Sequence, residues 1–166
     1  MWRSLGSYWG FFGVVALLAS AVWRLSPQAG ALADVPLSGL HWLLLAVLVP
    51  FMAYSEGYRG FHLNFAPRVV ARAAWLRRHA TPTLVLLAPL FCMGFVHAAR
   101  KRRVISFSVT LAIVAVVVSV RQLAQPWRGI IDAGVVLGLA LGVASLLYYF
   151  VRQLAGKTPD VPLDLP

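Results

Sequence analysis

Five stretches of this chain, Ser4–Trp23, Val35–Ser55, His79–Ala99, Val104–Val120 and Ala133–Val151, contain no Asp, Glu, Lys or Arg. They run 20, 21, 21, 17 and 19 residues. A helix rises about 1.5 Å per residue, so about 20 apolar residues cross a hydrocarbon core of ~30 Å. A soluble domain of 166 residues, 60% of them hydrophobic, has no interior large enough for that surface, so lipid must cover it. The fourth stretch is rich in Val and Ile, which in water would suggest a strand. In hydrocarbon a lone strand leaves its backbone groups unpaired, so it too reads as a helix.

The expected fold is therefore all-α: a multi-pass integral membrane protein with five apolar helices near 6–24, 37–56, 81–99, 103–121 and 128–151. Together they form one membrane domain, 1–152, with a short polar tail, 153–166. SPQAGALADVP, after the first helix, reads as a loop on its Ser-Pro and Gly punctuation. Arg3, an apolar stretch and Ala31-Leu32-Ala33 imitate a signal peptide, but Arg24 and Pro27 intervene, so the first segment reads as a retained span. Pro50 should kink the second helix. Gly57 and Gly60 then suggest a broken helix end, with Asn64 or Ala66 capping a new helix at Pro67. Over 66–79 an apolar stripe (Phe65, Val69, Ala73, Leu76) and a basic-aromatic one (Arg68, Arg72, Trp75, His79) recur at helical spacing. That pattern predicts an amphipathic helix lying in the headgroup region.

Charge raises a conflict over topology. Lys and Arg number 15 against five Asp and Glu, a net charge of +10. With no separate soluble domain to present a basic face, nucleic acid is excluded as a partner, and anionic lipid is the expected one. If all five segments cross, the cations divide eight to seven, which sets no orientation. If segment 79–99, which holds Pro82 and Pro89, enters and leaves on one side, they divide twelve to three. Five crossings are the first expectation, on the hydrophobicity of that segment; re-entry is the second and insertion in both orientations the third. The setting is a cell membrane, in the first instance a bacterial inner membrane.

Gly134, Gly138 and Gly142 lie four apart and line one helix face, where another backbone approaches closely. The partner is either another helix of the chain or a second copy, so a homo-oligomer or a larger membrane complex is open. Glu56 is the only glutamate. At the edge of its span it reads first as an ion pair with Arg59, three residues on, and second as a proton-coupling carboxylate. Arg59, Arg68, Arg72, Arg77 and Arg78, with Trp75, are candidate contacts to lipid phosphate or another anion, since the guanidinium fork suits phosphate oxygens. His41 and His97 would fall at similar depth if the second and third segments both cross, a weak bis-His haem pattern. Otherwise no cofactor is expected, and no HxxxH, HxH or CxxC spacing marks a metal site. Cys92 is the single cysteine, read as a packed apolar side chain.

No serine stands in a G-x-S-x-G elbow, Gly57 and Gly60 lead into no Lys-Ser/Thr, and the acids are scattered. The expected function is non-enzymatic: a small helix-packing subunit or scaffold associated with anionic lipid. The alternative is a small oligomeric proton-coupled transporter that uses Glu56.

Overall fold

The computed structural model describes residues 2–79 and 81–165, with side chains from Ser4 onward. Ala80, within the third charge-free stretch, and Pro166, the last residue of the tail, lie outside the described residues. The described residues are helical, without strands. In order they form α1 (Trp2–Gly30), a 3-10 turn (Ala31–Asp34), α2 (Gly39–Met52), a π-helical segment (Ala53–Phe65) and α3 (Ala66–His79). Two five-residue helices follow, α4 (Pro82–Leu86) and α5 (Ala88–Cys92), then α6 (Arg100–Arg121) and α7 (Trp127–Leu154). Four helices are long and apolar enough to cross a membrane: Ser4–Asp34, Gly39–His79, Arg100–Arg121 and Trp127–Leu154.

Three sequence expectations change. First, α1 runs straight through SPQAG. Its last turn is held from outside, because Gln125 Nε2 donates to the Gln28 carbonyl at 3.2 Å. Ser26 Oγ also turns back onto the Val22 carbonyl at 2.7 Å.

Second, the connector after Pro50 does not break. Gly39–His79 is one 41-residue helical run. Its middle 13 residues wind as a π-helix, and the Ala66 N–H still reaches back five residues to the Phe61 carbonyl. Long π-helices are rare. Here the wider winding has a local cause in Pro67, whose ring would collide with the carbonyl four residues back in a normal α-helix. Asn64 Nδ2 adds a bond to the Arg59 carbonyl, again five back, at 2.6 Å. The segment after Pro67 is consequently no free interfacial helix. Ala66, Pro67, Val69, Val70, Ala71, Arg72, Ala73 and Leu76 of α3 are all buried. The apolar stripe and one side of the basic stripe both face protein, because α3 sits between α1, α5 and α7.

Third, segment 81–99 is not a fifth long helix. The two prolines divide it at Leu87, where φ is −94° and ψ 18°. From Pro82 to Cys92 the chain climbs at most about 16 Å, half a hydrocarbon core. Side chains of neighbouring helices take up the backbone groups the break releases. Arg72 Nη1 donates to the Phe91 carbonyl at 2.7 Å, and Ser106 Oγ to the Met93 carbonyl at 3.2 Å. Gly94, with φ +84°, makes the reversal towards α6; a Cβ there would press on Arg102 Nε at 3.1 Å.

The long run Gly39–His79 and α7 lie side by side and parallel, with α1 antiparallel to both. Ser7 Oγ near the start of α1 donates to the Ala73 carbonyl of α3 at 2.6 Å. At the opposite end His41 meets Trp127 edge-on at 5.0 Å. Most of the core gathers around α3: Phe11, Val14, Val69, Val70, Leu76, Ala88, Phe91 and Leu146 are fully enclosed. Phe11 stacks on Phe150 of α7 at 4.3 Å. By contrast α2 buries no residue, and α6 buries only Ser106. Their apolar side chains cover the outside, as lipid-facing helices require.

Candidate functional site

Two clusters of chemically capable side chains stand out. The first lies along the seam between the π segment and α7. A Cβ on Gly134 would come within 2.5 Å of Met52 Sδ, one on Gly138 within 3.5 Å of Glu56 Cβ, and one on Gly142 within 2.8 Å of the Phe61 ring. The glycine face thus receives a helix of the same chain. The contacting residues are 52, 56 and 61, spaced four and five apart, which is the face an i→i+5 winding presents. A plain α-helix would have offered Arg59 or Gly60 in place of Phe61.

That winding also explains why Glu56 and Arg59 do not pair: positions three apart diverge on a π-helix. Among the described residues the ion pair is Arg128–Asp132, at 3.5 Å in the first turns of α7. Glu56 is exposed on the outside of the seam, opposite Gly138, the twelfth of the 28 residues of α7. The helix does not end at Glu56 but continues 23 residues beyond it, to His79. One stretch further, His62 Nδ1 meets Ser145 Oγ at 3.1 Å. Its ring continues a stack from Tyr54 through Tyr58, at 6.0 and 5.6 Å, and leans on Tyr149 at 5.2 Å. Neither His62 nor Ser145 carried a signal in the sequence, because only the π register brings them together.

The second cluster is built around Arg72, 2% exposed. Its guanidinium lies 5.0 Å over the Phe91 ring. Besides the Phe91 carbonyl, it donates to the Leu163 carbonyl through Nε (2.9 Å) and Nη2 (2.6 Å), and to the Asp164 carbonyl at 3.1 Å. The Ala99 N–H donates to the same Asp164 carbonyl at 2.8 Å. The short polar tail is docked: Leu165 packs against the core. Cys92 is buried beside this cluster, and burial pushes its thiol up to about 12 against a smaller downward pull from Arg72.

The remaining predicted contacts separate. Arg68 is half-buried and faces the Arg72 cluster; Arg59, Arg77 and Arg78 are exposed. Trp75 is half-buried, stacked on His79 at 4.5 Å and on Phe91 at 5.4 Å. So Arg72 grips backbone carbonyls, not lipid. The His41–His97 pair does not form. His41 closes the start of α2, accepting from the Ser38 N–H at 3.1 Å, while His97 lies 6.1 Å from Trp75 near the far end of the 41-residue run.

A second glycine face was missed. Gly6, Gly10 and Gly13 of α1 receive Val85, Ala88 with Cys92, and Pro89. Its four-and-three spacing was open to view in the sequence. Comparison with family models, with curated proteins and with solved structures finds no match for this chain.

Proposed function

We propose that this chain is a small non-enzymatic integral membrane protein, a helix-packing subunit or scaffold whose basic end holds anionic lipid. In this reading the four long helices cross the bilayer, and segment 81–99 enters and leaves on one side. The observation that carries it is where the cations gather. Arg3, Arg68, Arg72, Arg77, Arg78, the 100–103 run, Arg152 and Lys157 share one end; Arg24, Arg121 and Arg128 share the other. Arg59 stands alone on the wall between them. Eleven against three is a strong orientation bias, and it assigns the basic end to the cytoplasmic side of a cell membrane, an inner membrane in a bacterium. At that end Arg100 and Arg103 rim a hollow of about 440 Å³ floored by Val104, Phe107 and Ser108, a charge-over-apolar surface suited to a lipid. The α7 glycine face is occupied within the chain, so assembly with a second copy would use the outer faces of α2 or α6.

The test has two parts. Reporter fusions after Arg78 and after Arg103 should fall on the same side; opposite sides would end the four-crossing arrangement. Protein purified in mild detergent should retain anionic lipid, and replacing Arg77, Arg78, Arg100 and Arg103 together by Gln should abolish that enrichment. Equal retention by both proteins would remove the lipid reading.

Glu56 favours a second reading, proton-coupled transport. An intramembrane acid without a cation beside it is expensive and most often functional. Proton uptake into reconstituted vesicles, followed with an enclosed pH dye, should then be lost in Glu56→Gln. No uptake above protein-free vesicles would discard it.

A further inference from the structure

Arg72 makes four hydrogen bonds, all to neutral carbonyl oxygens. A buried guanidinium held this way keeps its full charge without a bonded anion. Two more cations, Arg68 of α3 and Arg102 of α6, lie within charge-interaction range, and Asp164 is the single acid near them. Arg68 and Arg102 are half-buried, and neither has a carboxylate within salt-bridge distance among the described residues. The start of the 22-residue α6 adds its own positive end. It has no side-chain cap, and the Asp164 carbonyl takes the Ala99 N–H just before it. Arg68 and Arg72, one turn apart on α3, and Arg102, in the first turn of α6 with its Nε beside Gly94, gather positive charge near that helix N-terminus. Such a setting attracts anions, and planar guanidinium forks favour phosphate oxygens in particular.

We infer that Arg68, Arg72 and Arg102, at the N-terminus of α6, build a binding site for a phosphate group, which the docked segment 161–165 occupies until such a group displaces it. The segment supplies two neutral backbone carbonyls, and the Asp164 carboxylate is bonded to none of the three arginines; a phosphate supplies several charged acceptors in one rigid group. Asp164, at a left-handed φ of +48°, brings the segment's one acid beside these arginines and its carbonyl onto Arg72. The phosphate is that of a lipid head group or of a soluble phosphate. Only the first source rests on the lipid function proposed above.

The test uses the full chain in uncharged detergent, titrated separately with inorganic phosphate, short-chain phosphatidic acid and short-chain diacylglycerol. Binding is measured together with amide hydrogen exchange at Ala99. Phosphatidic acid should bind and diacylglycerol should not, and exchange at Ala99 should rise as the Asp164 carbonyl leaves. Arg68→Gln and Arg102→Gln should each weaken binding about tenfold, the loss of one charge-assisted contact. Asp164→Ala should tighten it about threefold by removing the internal competitor. Arg121→Gln, at the opposite end, should leave it unchanged. Binding of inorganic phosphate as well extends the site to soluble phosphate; binding of phosphatidic acid alone assigns it to lipid. Absence of binding by either, affinity unchanged from the parent in Arg68→Gln and Arg102→Gln, or an Ala99 amide that stays protected overturns the proposal. Loss of anionic-lipid enrichment in the four-arginine surface variant is a separate result, so the two readings fail independently.

Discussion

Glu56 and Arg72 stand in one unbroken 41-residue helical run, sixteen residues apart, and their surroundings are opposite. Around Glu56 the π segment touches mainly α7, across glycines, and the carboxylate is left on the outside with no cation within salt-bridge distance among the described residues. Around Arg72, α3 is enclosed by α1, α5, α7 and the tail, and the guanidinium is spent on carbonyls that a broken helix and a docked strap expose. The difference shows that a charged side chain near a membrane is explained by what surrounds its backbone, more than by its distance from a charge-free window. Where neighbours bring irregular backbone, the charge supplies missing hydrogen bonds. Where they bring only a smooth glycine face, it stays free for chemistry.

Substitutions can break this comparison. The largest effect is expected from Arg72→Met, which leaves the Phe91, Leu163 and Asp164 carbonyls without that donor. The Gly94 and Ala99 N–H groups still serve the Phe91 and Asp164 carbonyls, so the Leu163 carbonyl is the one left without a donor. With the charge-assisted bonds lost as well, the cost should be about 3 kcal/mol in a detergent unfolding titration. Cys92, shielded in the native protein, should also become quickly reactive to maleimide. A loss below about 1 kcal/mol would mean that the α3 region is not held by its arginine.

Next come the tight glycines. In Gly142→Ala the new Cβ meets the Phe61 ring, and in Gly10→Ala it meets Cys92 Sγ at 2.9 Å and the Ala88 carbonyl at 3.2 Å. Overpacking of this kind costs about 1–3 kcal/mol, measurable as a lowered unfolding midpoint. Gly138→Ala sharpens the contrast, because its Cβ would find ordinary contacts from 3.5 Å outward. The gain in helix propensity, up to about 1 kcal/mol, should leave that variant as stable as the parent or more so. Destabilisation there equal to that of Gly142→Ala would refute the π-register seam. The smallest stability effect belongs to Glu56→Gln, within about 0.5 kcal/mol, since the side chain is exposed and unpaired. A large loss would show that the carboxylate is structural after all.

Much of this was legible in residue order. The charge-free windows located all four long helices, and the three glycines of α7 marked a real packing face. The two prolines of segment 79–99 and the charge split pointed to re-entry, although hydrophobicity argued the other way and ranked five crossings first. Hydrophobicity misled about a fifth long helix because enclosed and outward-facing apolar segments have the same composition: Phe91 and Cys92 are apolar and protein encloses them. The Glu56–Arg59 pair failed for a subtler reason. Residues three apart share a face only in an α-helix, and Pro67, which accounts locally for the wider winding where it ends, did not announce that it would extend over thirteen residues. His62–Ser145 and Arg72–Leu163 join positions 83 and 91 residues apart, beyond any spacing rule.

Residue order alone determined that the chain is helical and apolar enough for lipid, since charge-free length and unpaired backbone leave no other solution in hydrocarbon. Tertiary structure decided which apolar segment is broken and enclosed and which are long helices, which glycines are filled from within, and which arginine is buried. Those outcomes depend on how neighbouring helices satisfy each other's carbonyls and clear each other's side chains, and that information is shared among distant parts of the chain.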